Sequence, residues 1–159
     1  MKTFQEMVTV RSAPELVWRT VIKNLQVTLP TFYHDIVSVE FMDGAPLSPD
    51  GVFRVCYHQE FRRCNVSYLK FKWKSIDHTS RTSKATAIEG ELLDESIQGL
   101  SFSYTVTPID GDAASCTVVL EVEYQEIWEQ QGIHKILKDQ VAKFMKSLEG
   151  CVEKIKKYA

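Results

Sequence analysis

Few residues in this chain have the types and spacing that chemistry requires. Cys56, His58 and Cys64 are close enough in sequence to meet across a hairpin. They lack the paired spacing of a zinc site and a fourth ligand, so no metal is expected. Arg54 and His58 share one face of a single strand. Facing inward, they would offer a fixed charge and a titratable imidazole to a carboxylate or phenol; facing outward, they are ordinary surface residues. His34, His78 and His134 read as surface residues. The segment Asp43-Gly-Ala-Pro-Leu-Ser-Pro-Asp-Gly51 carries flanking glycines, but a phosphate cradle needs consecutive backbone N–H groups, and its two prolines have none. Covalent or acid–base catalysis needs a lysine or carboxylate on a dry face, where the long strands present Leu100, Phe102, Val118 and Leu120 instead. No catalytic residue and no cofactor is expected.

The elements that would position these residues follow from periodicity. From Asp35 to Gln125 the hydrophobic period is 2, with turn signals at Asp43-Gly44, Pro49-Asp50-Gly51, Arg62 to Asn65, Asp77 to Ser80, Glu89-Gly90 and Asp110-Gly111. Leu100, Phe102, Tyr104 and Val106 oppose Ser101, Ser103, Thr105 and Thr107; Cys116, Val118, Leu120, Val122 and Tyr124 form the dry side of the next strand. On the third strand alternation turns Phe53, Val55 and Tyr57 inward, and a slip of one residue would exchange them for Arg54, Cys56 and His58. Upstream, Thr3 to Arg11 reads as a strand. Ser12 and Glu15 have capping-box spacing before an apolar stripe that reaches Asn24, and Pro30 to Tyr33 reads as the start of a second short helix.

Gln130 to Tyr158 forms a long amphipathic helix, with Ile133, Leu137, Val141, Phe144, Leu148 and Ile155 on one stripe. Gly150 inside it marks either a close backbone approach or a bare surface position. The list predicts an α+β fold: a curved seven-stranded antiparallel sheet wrapped round a long C-terminal helix, with two short helices between strands 1 and 2.

With 159 residues, of which 44% are hydrophobic, the chain suits one domain spanning 1–159. A net charge of -2 steers it toward neither nucleic acid nor an anionic membrane. No run approaches 18 consecutive apolar residues, and the four cysteines show no paired framework. A soluble cytoplasmic protein with free thiols, no nucleic-acid partner and no membrane insertion is expected.

Ser75-Ile-Asp-His-Thr, Ala87-Ile-Glu-Gly90, Thr107-Pro108 with Asp110-Gly111, Ser38-Val39-Glu40 and Pro14 occur in an order and spacing that resemble the plant pathogenesis-related class 10 proteins, the family of the major birch-pollen allergen. The resemblance covers most of the chain and implies the START-like helix-grip fold. It departs at the Asp43 to Gly51 loop, where prolines and a leucine replace inner glycines.

The resemblance implies a monomer with a large internal cavity for hydrophobic or amphipathic small molecules of the flavonoid, hormone, sterol or fatty-acid class, linked to defence or stress. The lining implied by matching positions is Tyr68, Phe71 and Trp73 on one strand, Leu100, Phe102 and Tyr104 on another, Val118 and Leu120 beyond it, and Leu137, Val141 and Phe144 on the terminal helix. Counting from Gly51 as in the family adds Arg54 and His58. Among these and Tyr124, tyrosines are the better ligand contacts, because a buried hydroxyl needs a partner. Some relatives are enzymes that condense amines with aldehydes, so an enzyme of specialised metabolism is the alternative.

Overall fold

The computed structural model describes residues 1–33, 35–57, 68–90, 93, 97–127 and 133–158. Alternating burial along Lys2–Val10 forms β1. Two helices follow, α1 (Pro14–Trp18) and α2 (Leu25–Phe32), joined by a π-helical turn at Arg19–Lys23. Six strands come next, β2 (Ile36–Phe41), β3 (Val52–Tyr57), β4 (Tyr68–Asp77), β5 (Thr82–Gly90), β6 (Ile97–Ile109) and β7 (Asp112–Glu126), then α3 (Ile133–Tyr158). The strands form one sheet in the order β1-β7-β6-β5-β4-β3-β2, antiparallel throughout. This is the helix-grip architecture.

The helix corner differs in detail from expectation. Pro14 takes the first helical turn, so the cap position falls on Ala13, which has no side-chain oxygen. Ser12 therefore makes no capping box; its buried hydroxyl donates to the Arg11 carbonyl at 2.8 Å. Pro30 lies inside α2 rather than at its start. In the last turn a proline removes one intrahelical bond, a smaller loss than in the middle of a long helix.

Register shifts between Ile36/Ser38, Lys70/Phe71, Trp73/Ser75, Gln98/Ser101 and Pro108/Ile109 bend the sheet. At about 1.5 Å per residue, the 26 residues of α3 make a rod about 39 Å long. A straight rod cannot touch a bent sheet everywhere. Met145, Leu148, Cys151 and Val152 are buried, and α3 packs against β1. Toward its N-terminus, Leu137 and Phe144 are only half-buried. Gly150 is exposed, and nothing lies within 4 Å of where its Cβ would be, so it marks a bare surface position.

The loop after β2 is held by backbone hydrogen bonds, within itself and to β4. Asp50 N–H donates to the Trp73 carbonyl at 2.9 Å and Gly51 N–H to the Ser48 carbonyl at 3.0 Å, so neither is available to a phosphate. A Cβ on Gly51 would sit 2.5 Å from the Ala45 carbonyl oxygen, which requires glycine there. His78 is not the surface residue expected from sequence. Its Nδ1 accepts from the buried Trp18 Nε1–H at 3.1 Å, leaving Nε2–H to donate to the Leu47 carbonyl at 3.0 Å.

Candidate functional site

Between the inner face of the sheet and the N-terminal half of α3 lies a cavity of about 200 Å³. This is below the ~300–1,000 Å³ usual for small-molecule sites, whereas the family resemblance implies a large cavity. Its walls come from Phe53, Val55 and Tyr57 on β3, Leu69, Phe71 and Trp73 on β4, Leu100, Phe102 and Tyr104 on β6, and Leu120 on β7. Leu25 and Leu29 of α2 and Tyr33 just beyond it close one side, and Leu137, Gln140, Val141 and Phe144 of α3 form the lid.

Two series of aromatic rings frame the space. Phe53 stacks on Phe71 at 5.3 Å and lies 4.8 Å from Trp73, while Phe71 meets Phe102 edge-on at 5.7 Å. Phe144 of α3 meets Tyr33 edge-on at 5.6 Å and Tyr104 at 6.4 Å. Separations of 4.5–7 Å are those at which ring quadrupoles attract, so the second series holds the helix at a distance from the sheet without filling the gap.

Polar atoms are few. Tyr33 Oη donates to Gln140 Oε1 at 2.8 Å, tying the end of α2 to α3. Lys143 adds an ion pair to Asp35 at 3.4 Å on the outside. Burial pushes the Tyr33 phenol well above its ordinary range, with a further rise from Asp35. Burial does the same to Tyr104, helped by neighbouring Tyr33 and Tyr57. Both phenols therefore stay protonated, and Tyr104 makes no hydrogen bond among the described residues.

Of the expected lining, Phe71, Trp73, Leu100, Phe102, Tyr104, Leu120, Leu137, Val141 and Phe144 face this cavity. Arg54 does not. Phe53, Val55 and Tyr57 turn inward, so alternation rather than the family count gives the register of β3. Arg54 Nη2 lies on the outer face, 2.9 Å from Glu40 Oε2. Glycine counting fails because the intervening loop is unlike the family's, while burying Phe53 among Phe71 and Trp73 rewards the alternation register. His58 lies outside the described residues, as does Cys64. Tyr68 is also outside the cavity: it sits 6.0 Å beneath the Arg54 guanidinium, and its hydroxyl donates to Glu89 at 3.3 Å.

Val118 is fully buried but lies opposite Val8 and Val106 in the register, beyond the cavity. Tyr124 is buried too, and its hydroxyl is bonded to His134 Nδ1, which removes the need for a ligand partner and moves His134 off the list of plain surface residues. Burial raises the Tyr124 phenol to about 12. Cys56, Cys116 and Cys151 are free thiols.

Sequence reasoning missed Tyr33 and Gln140. Both carried a signal: Leu25, Leu29 and Tyr33 recur every four residues, and Gln140 interrupts the apolar stripe between Leu137 and Phe144.

Fold and site together define a helix-grip protein that encloses a small, almost wholly apolar cavity. No family model matches the sequence, and no curated protein matches it. Among solved structures, the chain is similar to Ara h 8.0201 at 21% identity, covering 96% of this chain and 98% of that one with a TM-score of 0.78. It is also similar to the Zhui aromatase/cyclase from Streptomyces sp. R1128 (13% identity, 96% and 93% covered, TM-score 0.76). A third is norcoclaurine synthase from Thalictrum flavum (20% identity, 95% and 86% covered, TM-score 0.72). At these identities the likeness establishes the helix-grip fold. Among the described residues no helix is long and apolar enough to cross a membrane.

Proposed function

We propose that this protein is a class 10 pathogenesis-related type of binding protein that shelters or carries a hydrophobic or amphipathic small molecule in the cavity under α3. The observation that carries this is the lining. Of its 22 described lining residues, 18 are aliphatic, phenylalanine or tryptophan side chains, and Tyr33, Tyr57 and Tyr104 with Gln140 supply its hydroxyl and amide groups. Apolar walls with a few polar groups suit binding, whereas acid–base catalysis needs a group of displaced pKa that can give and take a proton near neutrality. Phenols held protonated by burial do not meet that need.

An enzyme of specialised metabolism is the second reading. It is favoured by the grouping of three tyrosines at one cavity and by structural neighbours whose names are those of a synthase and an aromatase/cyclase. Incubating the protein with a plant extract and recording native mass spectra separates the two. A carrier retains a compound whose mass is unchanged from the extract; an enzyme alters the extract catalytically. We also place the protein in the cytoplasm as a monomer, without nucleic-acid partners, in defence or stress.

A further inference from the structure

We infer that the molecule held in this cavity is neutral and presents an acceptor oxygen, a carbonyl or hydroxyl, to Tyr104, and that carboxylates are excluded. This rests on the binding reading above and adds the ligand's chemistry to it.

Hydrogen-bond bookkeeping among the described residues leads there. The Tyr33 proton is already committed to Gln140 Oε1. Tyr104 lies mid-strand on β6, opposite Leu120 of β7 in the register, and edge-on to Phe144 of α3. Tyr104 lines the cavity, and no hydrogen bond from its hydroxyl is found among the described residues. Polar groups in protein interiors are paired, and a phenol that lines a cavity without a partner among the described residues calls for an acceptor from whatever fills it. Burial keeps that phenol protonated, so it can donate.

Charge supplies the exclusion. None of the cavity's described lining residues is Lys, Arg, His, Asp or Glu. Arg54, the cation that a carboxylate would need, is on the outer face of the sheet and bonded to Glu40. On α3, Lys143 is exposed and paired with Asp35. A carboxylate entering this space would lose its hydration and gain no counter-charge from the described residues, and ionised groups are not buried on those terms.

Three probes of nearly one shape test this on the full chain at pH 7: 2-acetylnaphthalene, 2-naphthoate and 2-ethylnaphthalene, titrated by displacement of an apolar fluorophore. The ketone is expected to bind at least tenfold more tightly than the carboxylate. Tyr104→Phe, which keeps the ring, is expected to weaken the ketone about tenfold toward the hydrocarbon and leave the hydrocarbon unchanged. Tyr68→Phe, outside the cavity, should preserve the wild-type order of the three. The order in the wild-type protein needs no variant and stands even if a variant folds poorly. Naphthoate binding as well as the ketone overturns the inference, as does an equal loss for all three probes in Tyr104→Phe. Tight binding of the hydrocarbon with no preference for the ketone leaves the binding reading standing and removes this inference. Binding of none of the three removes both.

Discussion

Truncating Phe144 tests whether α3 meets a void or a solid core. A fully packed Phe→Ala change costs about 3–5 kcal/mol. Phe144 is half-buried, with its ring against Tyr33 and Tyr104 and its remaining surface toward the cavity. Losing two edge-on ring pairs at about 0.5–1.5 kcal/mol each, and about 1 kcal/mol for the burial of part of one ring, gives about 2–4 kcal/mol for Phe144→Ala. One turn further along, Leu148 is 3% exposed and belongs to the packed core. Leu148→Ala should cost about 2–5 kcal/mol. Urea unfolding of both variants, with titration of an apolar fluorophore, separates the cases. Phe144→Ala should change probe affinity as well as stability, and Leu148→Ala should lower stability and leave affinity intact. A core-sized loss for Phe144→Ala with unaltered probe binding would show that helix and sheet are in contact there and refute the reasoning.

Three further outcomes are expected. Phe102→Trp adds volume to a ring that already lines the cavity, so apolar probes should bind more weakly while the urea midpoint changes little; weaker folding with unchanged binding would put Phe102 in a filled core. Gly150→Ala, on an exposed helical turn with open space at its Cβ, should gain up to about 1 kcal/mol in urea unfolding, and a loss would mean a contact the structure does not contain. Asp77 accepts from Ser80 and Thr79 N–H groups in the β4–β5 turn, which hold its carboxyl below the ordinary value. Its stabilisation is therefore present above the unfolded carboxylate pKa of ~3.9 and lost as pH falls through the folded value. Asp77→Asn should be less stable than wild type at pH 7, with the difference shrinking as acid titrates the carboxylate in unfolding curves; a pH-independent difference would assign the effect to something other than charge.

The sheet and the terminal helix were legible because their hydrophobic periods are long and unbroken. What escaped was the position of each residue along those elements. β7 has 15 residues and so runs roughly 50 Å, much longer than the cavity beneath it. Alternation correctly puts Val118, Leu120 and Tyr124 on its dry face, but says nothing about what covers each. Of the three only Leu120 meets the cavity; Val118 is fully buried between Val8 and Val106, and Tyr124 is bonded to His134. The bond from Tyr33 to Gln140 spans 107 residues of sequence, and no local pattern encodes a pairing at that distance. On β3 the local signal was sound and the borrowed one was not, since a family count carried across an altered loop can slip by one residue and reverse both faces.

The unequal packing of α3 also bears on why the cavity exists. In an apolar core, residual cavity volume costs about 24 cal/mol per Å³, so about 200 Å³ corresponds to roughly 5 kcal/mol, as much as the whole stability of a marginal domain. Nothing in the fold forces that cost, because larger side chains at Ala85 or Val55 could take up the space. The protein instead concentrates its secure contacts at one end of the helix, through Met145, Leu148 and Val152. At the other end it holds α3 off the sheet with Phe144, Tyr33 and the bond to Gln140. A ligand that fills the space recovers dispersion contacts the empty protein forgoes. Its binding must then raise the unfolding free energy by RT ln(1 + [L]/Kd), so stabilisation and occupancy of this cavity are two readings of the same contacts.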